Sequence, residues 1–283
     1  MTIEQLMIQA GTRLSAAGST TPRLDAEVLL GHVLKRDRTW LYTWSDRDVT
    51  DAERSHFDTL VAARNHGEPI AYLVGEREFW GLRLQTRAST LIPRQDTECL
   101  VEAALAKATA LDGRALDLGT GSGAIALAFA SERPGWQVTG VDRIADALSL
   151  AQGNAERLGI ASVEFLESDW FSALADRRFE LILANPPYLA DDDPHLGQGD
   201  VRFEPRSALV ANDKGLADLR HLIVATRAHL EAQGWLLLEH GWTQGQAVAE
   251  ALRQAGYADV MTLADLAGQP RVSLGRMPAC LSS

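Results

Sequence analysis

The chain has 283 residues, 46% hydrophobic and 23% charged, with 27 Lys and Arg against 38 Asp and Glu for a net charge of −11. That length allows one or two domains with a large core. The acidic balance argues against direct nucleic-acid binding, which would rest on clustered Lys and Arg neutralising phosphates. Cys99 and Cys280 are the only cysteines, so neither a disulfide framework nor a Cys-based zinc site is suggested. No apolar run approaches the ~18 residues of a membrane span, so no membrane partner is expected. Residues 1–5 lack the basic and apolar regions of a signal peptide, which makes the cytoplasm the expected compartment.

Residues 1–75 read as a small helical bundle. Thr2 with Gln5, and Thr50 with Glu53, have the spacing of capping boxes, in which each end satisfies an orphan N–H of the other. Thr21-Pro22 fits an N-cap followed by proline at the first helical position. Ala26, Leu29, Leu30 and Val33 form an i, i+3, i+4, i+7 stripe, and Phe57, Leu60 and Val61 begin another. Trp40, Leu41, Tyr42 and Trp44 are expected to plug the bundle. With no catalytic grouping in it, the module is read as a docking domain for a partner, with a structural appendage as the alternative.

Residues 76–95 form a connector whose short alternating pieces, Phe79 to Leu84 and Leu91 to Arg94, suggest a hairpin or extended linker. From 96 to 283 the texture changes. Val101, Ala104, Leu105 and Ala108 mark an amphipathic helix. Strands are then expected at 115–118, 138–141, 163–166, 181–184 and 235–238, separated by helices at 124–131, 145–158 and 216–230. Such alternation means an α/β fold whose parallel sheet is covered on both faces. A last pair, 260–263 and 271–274, closes the sheet as a hairpin.

The first of these strands runs into Asp117-Leu118-Gly119-Thr120-Gly121-Ser122-Gly123. Glycines at alternate positions let the backbone turn tightly and a ligand approach it just before a helix. Gly119, Gly121 and Ala124 also satisfy the dinucleotide fingerprint G-x-G-x-x-G/A, so the loop alone leaves a nicotinamide open. Asp142, at the end of the second strand, is placed to hydrogen-bond ribose hydroxyls in either case. S-adenosylmethionine is favoured by Asp117, whose carboxylate suits a cationic amino-acid end and would repel a pyrophosphate. Ser168-Asp169-Trp170 follows the third strand at the same edge, where Trp170 can pack on an adenine.

The fourth strand ends in Asn185-Pro186-Pro187-Tyr188. Two prolines stop the strand, since neither donates to a ladder. The Asn185 side-chain oxygen and the Pro186 carbonyl are adjacent acceptors for the two hydrogens of an NH2 group, which Tyr188 can cover. An amide, an adenine or a cytosine amine would each fit. Residues 189–212 are long enough to be a functional loop. Within it, Asp191, Asp192 and Asp193 are read as solvated acids, and no metal is expected. His240, after a buried strand, is given a structural role.

These stretches resemble the class I methyltransferases that modify NH2 groups. The fuller pattern is similar to the peptide chain release factor glutamine methyltransferase family. Its supporting stretches are Gly67-Glu68-Pro69-Ile70, Arg77-Glu78-Phe79-Trp80, Leu91-Ile92-Pro93-Arg94, Val201-Arg202-Phe203-Glu204-Pro205 and Leu238-Glu239-His240-Gly241. The resemblance implies a Rossmann-like domain with a mostly parallel seven-stranded sheet behind the helical bundle, and S-adenosylmethionine as cofactor. It also implies methylation of the glutamine in the Gly-Gly-Gln loop of class 1 release factors, with the bundle helping to hold that partner. Catalysis is then expected from Asn185, Pro186 and Tyr188. Cofactor contacts are expected from Asp117, Gly119, Thr120, Gly121, Ser122, Gly123, Asp142, Trp170 and Asn185, and substrate contacts from Asn185, Pro186, Pro187 and Tyr188. The motif at 185–188 is shared with adenine-N6 methyltransferases acting on DNA or RNA, which remain the alternative. A nicotinamide dehydrogenase would want a proton donor at that edge, and none is evident. A non-catalytic module would have no use for the intact motif.

Overall fold

The computed structural model describes residues 1–279. Contacts divide the chain into two units, Met1–Glu76 with Pro194–Phe203, and Arg77–Asp193 with residues 204 onward. Ten residues of the long loop group with the helices. Arg64 explains this. Its guanidinium reaches the buried Asp25 and, through Nη1, Asp200 at 2.9 Å. Gly67 also lies directly beneath Arg202, where an added Cβ would sit 2.1 Å from Nη2.

The helical unit contains α1 (Ile3–Ala16), α2 (Pro22–Leu34), α3 (Arg38–Thr43), α4 (Asp51–Asn65) and α5 (Ile70–Val74). Both capping boxes form, at Thr2/Gln5 and at Thr50/Glu53. Thr21 is the N-cap of α2 with Pro22 at its first position, as expected, but its hydroxyl donates to Asp25 Oδ1 instead of bonding a backbone N–H. The core joins Leu6 and Leu14 of α1, Leu29 and Leu30 of α2, Leu41 of α3 and Phe57 and Val61 of α4. Each such fully buried side chain contributes roughly 1.5–3 kcal/mol. The aromatic plug forms in part. Leu41 is buried and Trp40 packs half-buried against the same core, while Tyr42 and Trp44 are 44% and 50% exposed. A six-residue helix turns only part of its surface inward, and Tyr42 and Trp44 fall outside it.

In the second unit, β1 (Glu76–Phe79) and β2 (Leu82–Gln85) form the expected hairpin. Then come α6 (Glu98–Lys107), β3 (Gly113–Leu118), α7 (Ala124–Glu132), β4 (Trp136–Asp142), α8 (Ala145–Leu158), β5 (Val163–Glu167) and β6 (Phe179–Ala184). They are followed by α9 (Ala217–Ala225), β7 (Leu230–Glu239), α10 (Gly245–Gln254), β8 (Ala258–Ala264) and β9 (Pro270–Arg276). The seven-stranded sheet has the order β5-β4-β3-β6-β7-β9-β8, and β9 runs antiparallel to both neighbours. The expected helix over 216–230 ends early. Ala225 passes into a single tight turn, and Leu230 already pairs with Phe179 as the first residue of β7.

Strand order reverses between β3 and β6, the topological switch point where ligands of open α/β sheets bind. Register holds the tips level there: Leu118 lies between Val141 of β4 and Ala184 of β6. The glycine loop, Asp142 and Asn185 thus leave the sheet at one height. No helix among the described residues is long and apolar enough to cross a membrane.

Candidate active site

The glycine loop is built from its own backbone. Gly119, Gly121 and Gly123 all have positive φ (71°, 55° and 83°), a region that costs other residues roughly 1–2 kcal/mol. The turn lets Gly119 N and Thr120 N both donate to Val141 O at 2.9 Å. Asp117 fixes the loop from beneath. Its Oδ2 accepts from Thr120 Oγ1 at 2.6 Å and from Ala126 N at 3.2 Å, while Oδ1 has no partner. Burial pushes this carboxyl up to about 7, against the pull of those two hydrogen bonds and with a smaller push from Asp142. Asp142 braces the other side, accepting from Gly121 N on Oδ2 and Ile144 N on Oδ1, each at 3.0 Å.

After β5, the Ser168 hydroxyl donates to Trp170 O at 2.8 Å and accepts from Ala173 N at 3.0 Å. This clamp holds Trp170 at φ 51°, a strained conformation of the kind found at ligand sites. Its ring lies 3.6 Å from where a Cβ on Gly119 would stand, so the indole and the loop backbone face each other.

At the tip of β6, Asn185 Nδ2 donates to Thr97 Oγ1 at 3.3 Å, which turns the carboxamide oxygen away from Thr97. Leu189 N donates to Leu209 O and Ala211 N to Leu189 O, anchoring the chain just beyond the motif. Gln244 Nε2 holds Tyr188 O at 3.0 Å, and Gly215 packs against that same carbonyl. The buried Glu204 accepts from Ile92 N at 2.8 Å and pairs with Arg94, so it ties 92–94 to the return of the long loop.

These elements enclose one cavity of about 1030 Å³ counting its open mouth, near the top of the usual ~300–1,000 Å³ for small-molecule sites. Gly119, Thr120, Gly121, Ser122, Asp142, Trp170, Asn185, Pro186 and Pro187 line it. Three expected site residues do not. Asp117 is buried under the loop, where its carboxyl supports Thr120 and Ala126. Gly123 is the N-cap of α7, where an added Cβ would meet Ala151 and Leu127 at 3.1 Å. Tyr188 packs against the core behind the wall, its hydroxyl donating to Glu239 Oε1 at 3.4 Å.

Sequence reading missed Arg94, Thr97, Arg143, Ser207 and Asp218, all in the wall. Thr97 and Arg94 flank Gln95-Asp96 in one polar stretch, which was the available signal. Burial pushes the Asp218 carboxyl up, and Arg143 pulls it down. His240 is fully buried, with Nε2 on Ser273 Oγ and Nδ1 on Gly241 O, and burial lowers its pKa. Asp191 pairs with Arg206.

The arrangement suits a nucleoside-bearing cationic ligand. Asp142 offers a carboxylate at the cavity wall, Trp170 a flat apolar face, and the glycine loop a backbone open to close approach. Asn185 and the Pro186 carbonyl would then face it with acceptors for an NH2 group.

Residues 5–75 match the family described as PrmC N-terminal domain, and residues 95–200 match the methyltransferase small domain. The release factor glutamine methyltransferase of Escherichia coli is 55% identical over 258 residues, covering 91% of this chain and 93% of that one. The Vibrio cholerae enzyme of that name is 52% identical over 277 residues, covering 98% and 97%. The Pseudomonas aeruginosa enzyme is 52% identical over 258 residues, covering 91% and 94%. Among solved structures, the hMettl16 catalytic domain in complex with a 3′UTR hairpin superposes with a TM-score of 0.57 at 16% identity, covering 81% of each chain. A methyltransferase from Pyrococcus furiosus gives 0.51 at 19% identity, covering 70% of this chain and 90% of that one. Those two likenesses concern the fold.

Proposed function

The chain belongs to the release factor glutamine methyltransferase family, and we propose that it methylates the side-chain amide nitrogen (N5) of the glutamine in the Gly-Gly-Gln motif of class 1 peptide chain release factors. When bound, S-adenosylmethionine supplies a methyl group on a sulfonium whose leaving group is a neutral thioether. Asp142 would accept from its ribose hydroxyls, Trp170 would pack on its adenine, and the 119–122 backbone would let it approach closely. The helical unit, residues 1–75, docks the release factor.

An amide nitrogen is a poor nucleophile, because its lone pair is delocalised into the carbonyl. Geometry must therefore do most of the work. Asn185 Oδ1 and Pro186 O each accept one amide hydrogen and aim the nitrogen at the methyl carbon. Holding reactants as a near-attack pair can be worth about 7–11 kcal/mol. Transfer of the methyl group to the nitrogen would build positive charge there. The two acceptors then bind its hydrogens more tightly, which favours the transition state over the ground state. The proton on the alkylated nitrogen is strongly acidic and leaves to water, so no dedicated base is assigned.

The observation that carries this reading is the Asn185–Thr97 bond. It leaves the carboxamide oxygen for a donor, in the same cavity as Asp142 and the glycine loop. The sequence alternative, an adenine amine in nucleic acid, finds no support in the family or in the net charge of −11. The test is labelled-methyl transfer to purified release factor, to the same factor with its Gly-Gly-Gln glutamine replaced, and to an oligonucleotide. Label should enter the first only. Label in the oligonucleotide, or undiminished label in the glutamine variant, would overturn the assignment.

A further inference from the structure

We propose that Gln244 is a positioning residue for methyl transfer, holding the backbone of the 185–188 motif from outside the cavity. The inference rests on the reading of Asn185 Oδ1 and Pro186 O as the acceptors that aim the substrate NH2. Pro186 O is a backbone atom, so its direction is set by the path of the chain around it. Pro186 and Pro187 have no N–H by which that path could be fixed. Their rings hold φ at about −65°, so a displacement at Tyr188 is not absorbed at those bonds and passes back toward Pro186. The tether on the far side of the prolines therefore decides how well the acceptor stays aimed.

That tether is Gln244, which immediately precedes α10. Its Nε2 donates to Tyr188 O at 3.0 Å and to Lys214 O at 3.4 Å, while its Oε1 accepts from Gly241 N at 2.9 Å. Its own backbone N donates to Gly241 O at 2.8 Å, which closes a reciprocal pair. The amide can sit only one way round. Carbonyls only accept and a backbone N–H only donates, so a half-turn would set oxygen against N–H partners' places and nitrogen against a donor. One side chain thus joins the motif after β6, the turn that follows the long loop, and the segment after β7. The turn is shaped for this contact. Asp213 and Lys214 both have positive φ (55° and 53°), uncommon for residues other than glycine. They bring Lys214 O to Gln244 and Gly215 against Tyr188 O. Strained backbone of this kind persists where its surroundings over-determine it, and it gathers at functional sites. Leu189, one residue beyond the motif, has its own bonds to Leu209 and Ala211. Loss of Gln244 therefore leaves the chain folded back and frees the Tyr188 carbonyl to turn.

Variants of the full-length chain, assayed with release factor and S-adenosylmethionine at about pH 8, where an introduced carboxylate is ionised, test this. Gln244→Met keeps the length and removes the three side-chain bonds. Its kcat should fall by about 10- to 100-fold, the scale of an ångström-sized misplacement of a reacting group. Calorimetric affinity for the cofactor and KM for the release factor should stay within about threefold, since aim changes and binding does not. Gln244→Glu keeps the shape and the Gly241 bond but turns a second acceptor on the Tyr188 and Lys214 carbonyls. Its kcat should fall at least as far as that of Gln244→Met. A packing role predicts the opposite order, with the isosteric change the milder. Gln246→Ala, which loses a surface bond to Glu250, should match the wild type. The role is overturned if Gln244→Met keeps wild-type kcat, if Gln244→Glu is faster than Gln244→Met, or if both lose cofactor affinity in step with kcat. Asn185→Ala separates this failure from a deeper one. If that variant is inactive while Gln244→Met turns over normally, only the role of Gln244 is wrong; if it retains turnover, the acceptor reading itself fails.

Discussion

Substituting Gly215 by alanine should damage turnover far more than cofactor binding. Gly215 has φ 83°, and a Cβ placed there would lie 2.0 Å from Tyr188 O, 2.7 Å from its carbon and 2.9 Å from Gln244 Nε2. Real Cβ contacts essentially never fall below 3.0 Å, so the Tyr188 carbonyl must retreat by at least 3.0 − 2.0 Å, or 1 Å. That atom belongs to the peptide two residues beyond Pro186, so the shift passes into the motif that aims the amide. A misplacement of about 1 Å can cost roughly 100-fold in rate. The positive φ adds roughly 1–2 kcal/mol of backbone strain. Gly159, the C-cap of α8, is the control: its φ is 68°, but an added Cβ would meet nothing within 4 Å. Gly159→Ala should therefore lose stability alone. The assay is steady-state methylation of release factor beside calorimetric titration with S-adenosylmethionine. Gly215→Ala should show kcat down by about two orders of magnitude, with cofactor affinity nearly intact. A Gly215→Ala enzyme no slower than Gly159→Ala would refute the reasoning.

Two further predictions concern the cofactor side. Asp142→Ala removes a charged acceptor, and hydrogen bonds to charged groups are worth about 1.5–3 kcal/mol each. Two ribose bonds lost should weaken S-adenosylmethionine by at least about 100-fold in calorimetry, and an unchanged affinity would remove Asp142 from the cofactor site. Asp117 predicts a pH effect in the cofactor-free protein. Its folded-state pKa, about 7, lies above the unfolded value of 3.8. Its stabilising contribution is therefore complete below about pH 3.8 and is lost as pH rises through about 7. At about 1.4 kcal/mol for each pH unit between the two values, the full change is of order 4 kcal/mol. Urea unfolding between pH 5 and 8 should show stability falling in the wild type and a flatter dependence in Asp117→Asn; identical slopes would contradict it.

The sheet was legible because parallel strands buried on both faces make apolar runs with distinct boundaries. The glycine loop and the 185–188 motif were legible because each needs residue types that few other contexts require. Depth was not. Asp117, next to last in β3, and Asp142, last in β4, both border the same loop, yet one is sealed beneath it and the other lines the cavity. Only the packing of α7 over β3 decides between them. Tyr188 was hard to place for a related reason: a ring next to an acceptor pair can face the ligand or the core, and here it packs on the core with its hydroxyl on Glu239, 51 residues away. Thr97 lies 88 residues from Asn185, so no local pattern links them. The placement of β9 between β7 and β8, and the grouping of Pro194–Phe203 with the helices, depend likewise on long-range pairing. The aromatic stretch at 40–44 misled in part because hydrophobicity marks what can be buried, while a short helix limits how much is.

The most direct measurement compares Asn185→Ala with the wild type in two assays on the same preparation, methyl transfer to release factor and binding of S-adenosylmethionine. Loss of one of two acceptors should reduce kcat by about 100-fold or more while the cofactor still binds with nearly its original affinity. Turnover close to wild type in that variant would contradict the claim that Asn185 and Pro186 hold the reacting amide.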